Sequence, residues 1–198
     1  MLNIPGVIHK DKNGNERMID ITTRLLQDRI VMCTGEVTNE LAESVVAQLL
    51  HLESTDKNAP VYMFVQGPGG SVTAGEAIIS TMKMISCPVY TTCMGCVASM
   101  SALITISGEK GHRYTYPNTE IMLHTVSSGC EGKYQDMEIS LKNVQKTNER
   151  CMKQIAEACG KTVAEVKKDC DRDFWMDEKE AIKYGCLDGV TKSRKEIK

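Results

Sequence analysis

Nowhere in the sequence do roughly 18 apolar residues run together, the length a helix needs to cross a bilayer. A helical membrane span is therefore excluded. The opening decapeptide MLNIPGVIHK has no long apolar core of the signal-peptide kind. Neither sign of charge dominates, because 24 Lys and Arg stand against 26 Asp and Glu, for a net charge of −2. That balance excludes the strongly basic footprint of a nucleic-acid binder, and the short basic end TKSRKEIK reads as a solvated tail. Prolines number only five, and no Pro/Gly-rich boundary, low-complexity stretch or fixed-period repeat divides the chain. The 198 residues thus read as one domain. A chain of that size buries on the order of 70% of its unfolded surface.

Cysteine is the one residue in surplus, at nine. The number is odd, the chain is long and no secretion signal is legible, so reduced thiols in a cytoplasmic protein are expected. Cys93 and Cys96 form a lone CxxC. No second CxxC and no suitably spaced His pair completes a zinc set, so no metal is expected and these thiols read as small core residues.

Periodicity supplies the elements. Residues 5–20 read as a loose hairpin around Asn13-Gly14. RIVMC (29–33), VYMFV (61–65) and VYTTCM (89–94) read as buried strands, with HRYTY and EIMLH (120–124) as two more. Leu41, Val45, Leu49 and Leu52 fall at helical spacing between Asn39 and Ser54. Residues 71–86 and about 98–107 read as two further helices. Strand and helix alternate, which predicts an α/β unit with parallel pairing. Residues 133–158 carry Met137, Leu141, Val144, Cys151 and Ile155 at helical steps, interrupted by the polar Asn148. Such a helix is roughly 39 Å long; that is long for a compact domain, so part of it is expected to project and pack on another chain. Gly160 ends it. Thr162 with Glu165 and Asp177 with Glu180 predict two capping boxes, and Gly185 closes the last helix.

Four local signals bear on chemistry, and each has an ordinary structural explanation. GPGGS (67–71) joins a strand to a helix, where outward amides favour negative charge. The Walker lysine and the spaced dinucleotide glycines are missing, which leaves an oxyanion hole or a plain tight turn. Ser99 lies in CMGCVASMSALI at a strand-to-helix elbow, as a nucleophile or as a packed core hydroxyl. His124 ends an apolar strand, as a base or a satisfied polar residue. His9, His51 and His112 lie in polar contexts expected to be exposed. Asp173, in DCDRDFW, is an orienting acid or a solvated turn beside Arg172. A serine needs a base to take its proton, and a buried carboxylate can hold that base in the right tautomer. Spacing alone does not join these residues.

A resemblance does. IPGVIHK, ITTRLLQDRIVMCTGEV, GPGGSVTAGEAIISTMKMI, CMGCVASMSA, PNTEIMLH and DRDFWMDEKEAIKYGCLDGV, in this order, resemble successive segments of the ClpP family, the proteolytic subunits of the ATP-dependent Clp protease. The similarity runs over nearly the whole chain. It implies a ClpP/crotonase-like fold of repeated β-β-α units with a protruding handle helix. Residues 1–20 would form an axial hairpin, 21–124 and 160–198 the globular head, and 125–159 the handle region. It implies a serine endopeptidase with Ser99 as nucleophile, His124 as base and Asp173 as acid, the amides of Gly70 and Met100 forming the oxyanion hole, and no cofactor. Tyr62, Phe64, Met84, Tyr114 and Tyr116 match the cleft that receives a hexameric AAA+ unfoldase. Asp171 and Arg172 match ring-to-ring ion pairs between two stacked heptameric rings. Substrates would be unfolded polypeptides, and a ClpP paralogue is a possible ring partner.

The sequence departs from the family's pattern in places. HTVSSG follows the histidine where Gln-Pro and a Gly-Gly pair are usual. Ser101 replaces a glycine, and VQGPGG replaces an Asn-Ser-Pro-Gly-Gly form. HTVSSG leaves open a non-catalytic ring subunit serving an active paralogue. A crotonase-like acyl-CoA enzyme is the other alternative, since that superfamily shares the architecture and uses paired backbone N–H groups, though the complete Ser-His-Asp set argues against it.

Overall fold

The computed structural model describes residues 5–10, 14–191 and 193. Asn13 of the expected turn, residues 1–4 of the expected axial segment and most of the basic tail lie outside them. The hairpin pairs β1 (Gly6–Lys10) with β2 (Glu16–Asp20) antiparallel. Asp20 then caps α1 (Ile21–Gln27) by accepting from Thr23 N. Arg29 takes a positive φ of 61° and donates to the carbonyls of Leu52, Ala59 and Pro60. It thereby pins the start of β3 (Ile30–Thr34) to the end of α2 (Asn39–Thr55). α2 buries Ala42, Val45, Leu49 and Leu52, whose steps of three and four make one helical face. β4 (Val61–Gly67), α3 (Val72–Met84), β5 (Val89–Ala98) and α4 (Met100–Ile106) follow.

β3, β4 and β5 pair in parallel. Val61, Met63 and Val65 of β4 are fully buried on one face of the strand, while Tyr62 is half-buried and Gln66 exposed on the other. Every residue of α4 is buried. The far edge of β5 then serves two partners. Thr91–Cys93 pairs with β6 (Arg113–Thr115), and Cys96–Ala98 pairs with β7 (Glu120–Leu123), both in parallel. Between the two stretches stands Gly95, with φ 65°.

α5 (Tyr134–Cys159) is 26 residues long and ends at a left-handed Gly160. Its buried residues begin only at Cys151, and Tyr134, Ile139 and Leu141 lie exposed on its first half. Thr162 and Glu165 open α6 (Val163–Asp169), and Asp177 and Glu180 open α7 (Glu178–Tyr184), each as a complete capping box. β8 (Phe174–Met176) pairs antiparallel with β7, and β9 (Gly189–Val190) extends β6 in parallel. Asp188 accepts from the backbone amides of Gly111 and Arg113 and from the buried Arg113 guanidinium, which fixes β9 beside β6.

The fold is the mixed α/β arrangement expected, with three differences. β5 runs to Ala98, four residues past the expected end at Met94, because parallel neighbours on both edges carry it through Gly95. α4 starts at Met100 because Ser99 is not helical. β8 and β9 were not legible: three and two residues show no period. Six of the nine cysteines are buried, Cys96 and Cys159 are half-buried, and Cys130 is exposed; all are free thiols.

Candidate active site

Three neighbouring strands deliver three side chains to one edge of the sheet. Ser99 follows β5, His124 follows β7, and Asp173 precedes the antiparallel β8. The register pairs Ala98 with Met122 and Leu123 with Phe174. A bond from Ser99 N to Met122 O, 2.9 Å long, carries the β5–β7 ladder one step further. His124 Nε2 then stands 2.8 Å from Ser99 Oγ, within reach for proton transfer. His124 Nδ1 stands 3.5 Å from Asp173 Oδ1.

Asp173 is not the buried carboxylate expected of an orienting acid. Its side chain is 62% exposed, against 25% for His124, because the loop between α6 and β8 lies on the surface of the single chain. Thr125 N donates to Cys170 O, which ties the segment after the histidine to that loop.

Ser99 is neither packed away nor relaxed. It is half-buried and holds φ 53° with ψ −121°, a backbone region that non-glycine residues rarely enter. The strained corner turns its hydroxyl out of the helix that begins next to it. Met100 N–H is the first amide of α4 and has no acceptor inside the helix.

The glycine turn lies against this corner. Gly69 has φ 97°, and a Cβ there would stand 2.6 Å from Ser99 Cβ and 2.9 Å from Met100 N, so only glycine allows the approach. Val37 N donates to Gly69 O and Ser71 N to Val37 O, which pins the turn from its far side. Gly69 N donates to Ser101 Oγ at 3.2 Å. Among the described residues the amides of Gly70 and Met100 find no acceptor, and both line the cleft that holds Ser99 and His124. That cleft encloses about 130 Å³. Val72, Leu103, Leu123, Val126, Cys151 and Ile155 give it an apolar floor. The set can bind an apolar side chain, deprotonate a hydroxyl and hold a developing oxyanion, which are the requirements of acyl transfer.

Other expected residues fall in varied places. Tyr62, Phe64, Tyr114 and Tyr116 gather with Leu25, Ile30, Met32 and Met94 into a separate apolar cluster. Met84 is exposed and outside it. Asp171 and Arg172 are exposed beside Asp173, and their side chains form no ion pair among the described residues. His51 is exposed as expected. His9 is half-buried on β1, and His112 is half-buried and stacked on Tyr90 with centroids 3.8 Å apart, so neither is the exposed histidine expected. Two residues visible in the sequence gain a supporting role that the sequence does not assign. Asn148, the polar break in the α5 stripe, accepts from Val126 N at 3.0 Å and so shapes the segment after His124. The break itself was its signal. Ser101 had a fainter one, a hydroxyl inside a buried helix.

The sequence matches the family model described as Clp protease over residues 13–194. It is similar to the ATP-dependent Clp protease proteolytic subunit of Ligilactobacillus salivarius, 39% identical over 98% of each chain. The proteins of the same name from Streptococcus mutans and Streptococcus pyogenes are 43% and 44% identical, each over 94% of this chain and 96% of its own. The chain belongs to the Clp protease family, and with it to the endopeptidases.

Proposed function

We propose that this endopeptidase hydrolyses peptide bonds of unfolded polypeptides by serine catalysis at Ser99. The observation that carries the reading is the 2.8 Å approach of His124 Nε2 to Ser99 Oγ beside two amides with no acceptor among the described residues. Neutral His124 takes the hydroxyl proton as Ser99 Oγ bonds to the substrate carbonyl carbon. The carbonyl oxygen becomes an oxyanion facing Gly70 N–H and Met100 N–H. Asp173 stabilises the imidazolium through Nδ1–H. The C–N bond then breaks, His124 gives its proton to the leaving amine, and a water repeats the sequence to release the acyl group. An apolar residue before the scissile bond suits the cleft floor.

The wider setting belongs to the same proposal. The exposed first half of α5 and the Asp171–Arg172 pair would join two heptameric rings. The β1–β2 hairpin would line the axial entrance, and the tyrosine-rich cluster, with Met84, would receive loops of an AAA+ unfoldase in the cytoplasm. Among the described residues no helix is long and apolar enough to cross a membrane. The triad itself uses no nucleotide, so short peptides should be cut without ATP.

The decisive experiment is labelling of the purified chain with a fluorophosphonate alongside peptide hydrolysis. Label on Ser99, and a rate loss of around 10⁶ in Ser99→Ala, are expected. Unchanged hydrolysis in Ser99→Ala would overturn the assignment. Absence of label without a partner subunit would instead favour a non-catalytic ring subunit.

A further inference from the structure

We infer that Ser101 is a positioning residue for the oxyanion hole, an inference that rests on the catalytic reading above. Its side chain lies two residues beyond the nucleophile on α4, is 2% exposed, and accepts from Gly69 N at 3.2 Å. Gly69 immediately precedes Gly70, which lines the cleft. The turn is held from its other side by Val37, which donates to Gly69 O and accepts from Ser71 N. Those two bonds hold the peptide groups on either side of Gly70, and neither engages the amide of Gly69. The bond to Ser101 supplies a third point of attachment, and it comes from the helix that begins at Met100 directly after Ser99. One rigid element therefore sets the nucleophile, one oxyanion donor directly, and the other donor through the glycine turn.

Space around the hydroxyl fits this role. A Cβ at Gly67 would stand 3.2 Å from Ser101 Oγ, so the side chain at 101 fills room that a side chain at 67 would contest. Ser101 is tied into α4 as well, because its carbonyl accepts from Thr105 Oγ1 at 2.9 Å. A buried hydroxyl that served packing alone would lose little on becoming alanine. One that aims an amide at a charge appearing only during reaction acts on the transition state and not on substrate binding.

The test measures kcat and KM on a fluorogenic peptide, and the inhibition constant of a matching peptide boronate, for Ser101→Ala and Ser101→Gly. The second variant removes the hydroxyl without leaving a buried methyl. The expected result is a kcat lower by about tenfold, which lies between the loss of one ordinary hydrogen bond and the loss of an oxyanion donor. KM should stay within about twofold of the parent, and the boronate, whose tetrahedral adduct mimics the oxyanion, should weaken by the same factor as kcat. A kcat within twofold of the parent in either folded variant overturns the inference, and so does a loss carried by KM with boronate affinity intact. Ser99→Ala separates the two levels. If it is inactive while Ser101→Ala behaves as the parent, only the role of Ser101 falls. If Ser99→Ala hydrolyses at the parent rate, the catalytic reading falls and takes this inference with it.

Discussion

At the scale of single residues the site is built on backbone strain. Ser99 at φ 53° and ψ −121° occupies a conformation that costs a non-glycine residue on the order of 1–3 kcal/mol. Glycine adopts it with little steric cost. Ser99→Gly should therefore melt above Ser99→Ala, by about 1 kcal/mol in stability, while both lack peptidase activity; thermal denaturation of the two inactive variants checks this. That Ser99, His124 and Asp173 were candidates was legible because each sits in a local context that exposes its chemistry: an apolar elbow, a strand end, an acidic turn. Their convergence was legible only through resemblance, since contacts 25 residues apart and more leave no trace in local pattern. The exposure of Asp173 and the partners of Ser101 and Asn148 depend on packing across the fold, which residue type does not encode.

At the scale of elements, Arg113 and Asp188 couple β6 to β9. The guanidinium is almost wholly buried and meets the carboxylate at 2.7 Å. Burial pushes the Asp188 carboxyl up, but the hydrogen bonds and charge of Arg113 outweigh it and hold the group below its ordinary value. A depressed carboxylate contributes stability above its unfolded pKa, near 3.9, and loses it as pH falls through the lower folded value. Asp188→Asn leaves a buried cation without its partner, and should cost about 3 kcal/mol at neutral pH. The difference from the parent should hold from pH 8 to 5 and shrink below about pH 4; denaturant titrations across that range measure it. The capping boxes of α6 and α7 were legible because they are written in four consecutive residues. The full length of β5 was not, because Gly95 looks like a stop unless the strands on both sides are known.

For the molecule as a whole, the first half of α5 is the feature without an internal explanation. Met137, Leu141 and Val144 continue the helical stripe seen in the sequence, yet the stripe meets the core only from Cys151 onward. Under the proposed assembly, Leu141→Asp should lower the mass in solution by light scattering and leave the melting of the isolated chain nearly unchanged. An unaltered mass would remove α5 from the contact between rings.

The crosswise spacing of β5, β7 and β8 carries a last consequence. Because Ser99, His124 and Asp173 cap adjoining rungs of one ladder, the lengths of chain looping between them are free to change, whereas the count of residues inside each strand is not. Adding one residue within 96–98 would turn the nucleophile to the opposite side of the sheet, while lengthening the 127–132 loop would leave all three groups facing one another. Insertional scanning should therefore find tolerance and intolerance sorted by strand membership and not by nearness to the reacting atoms.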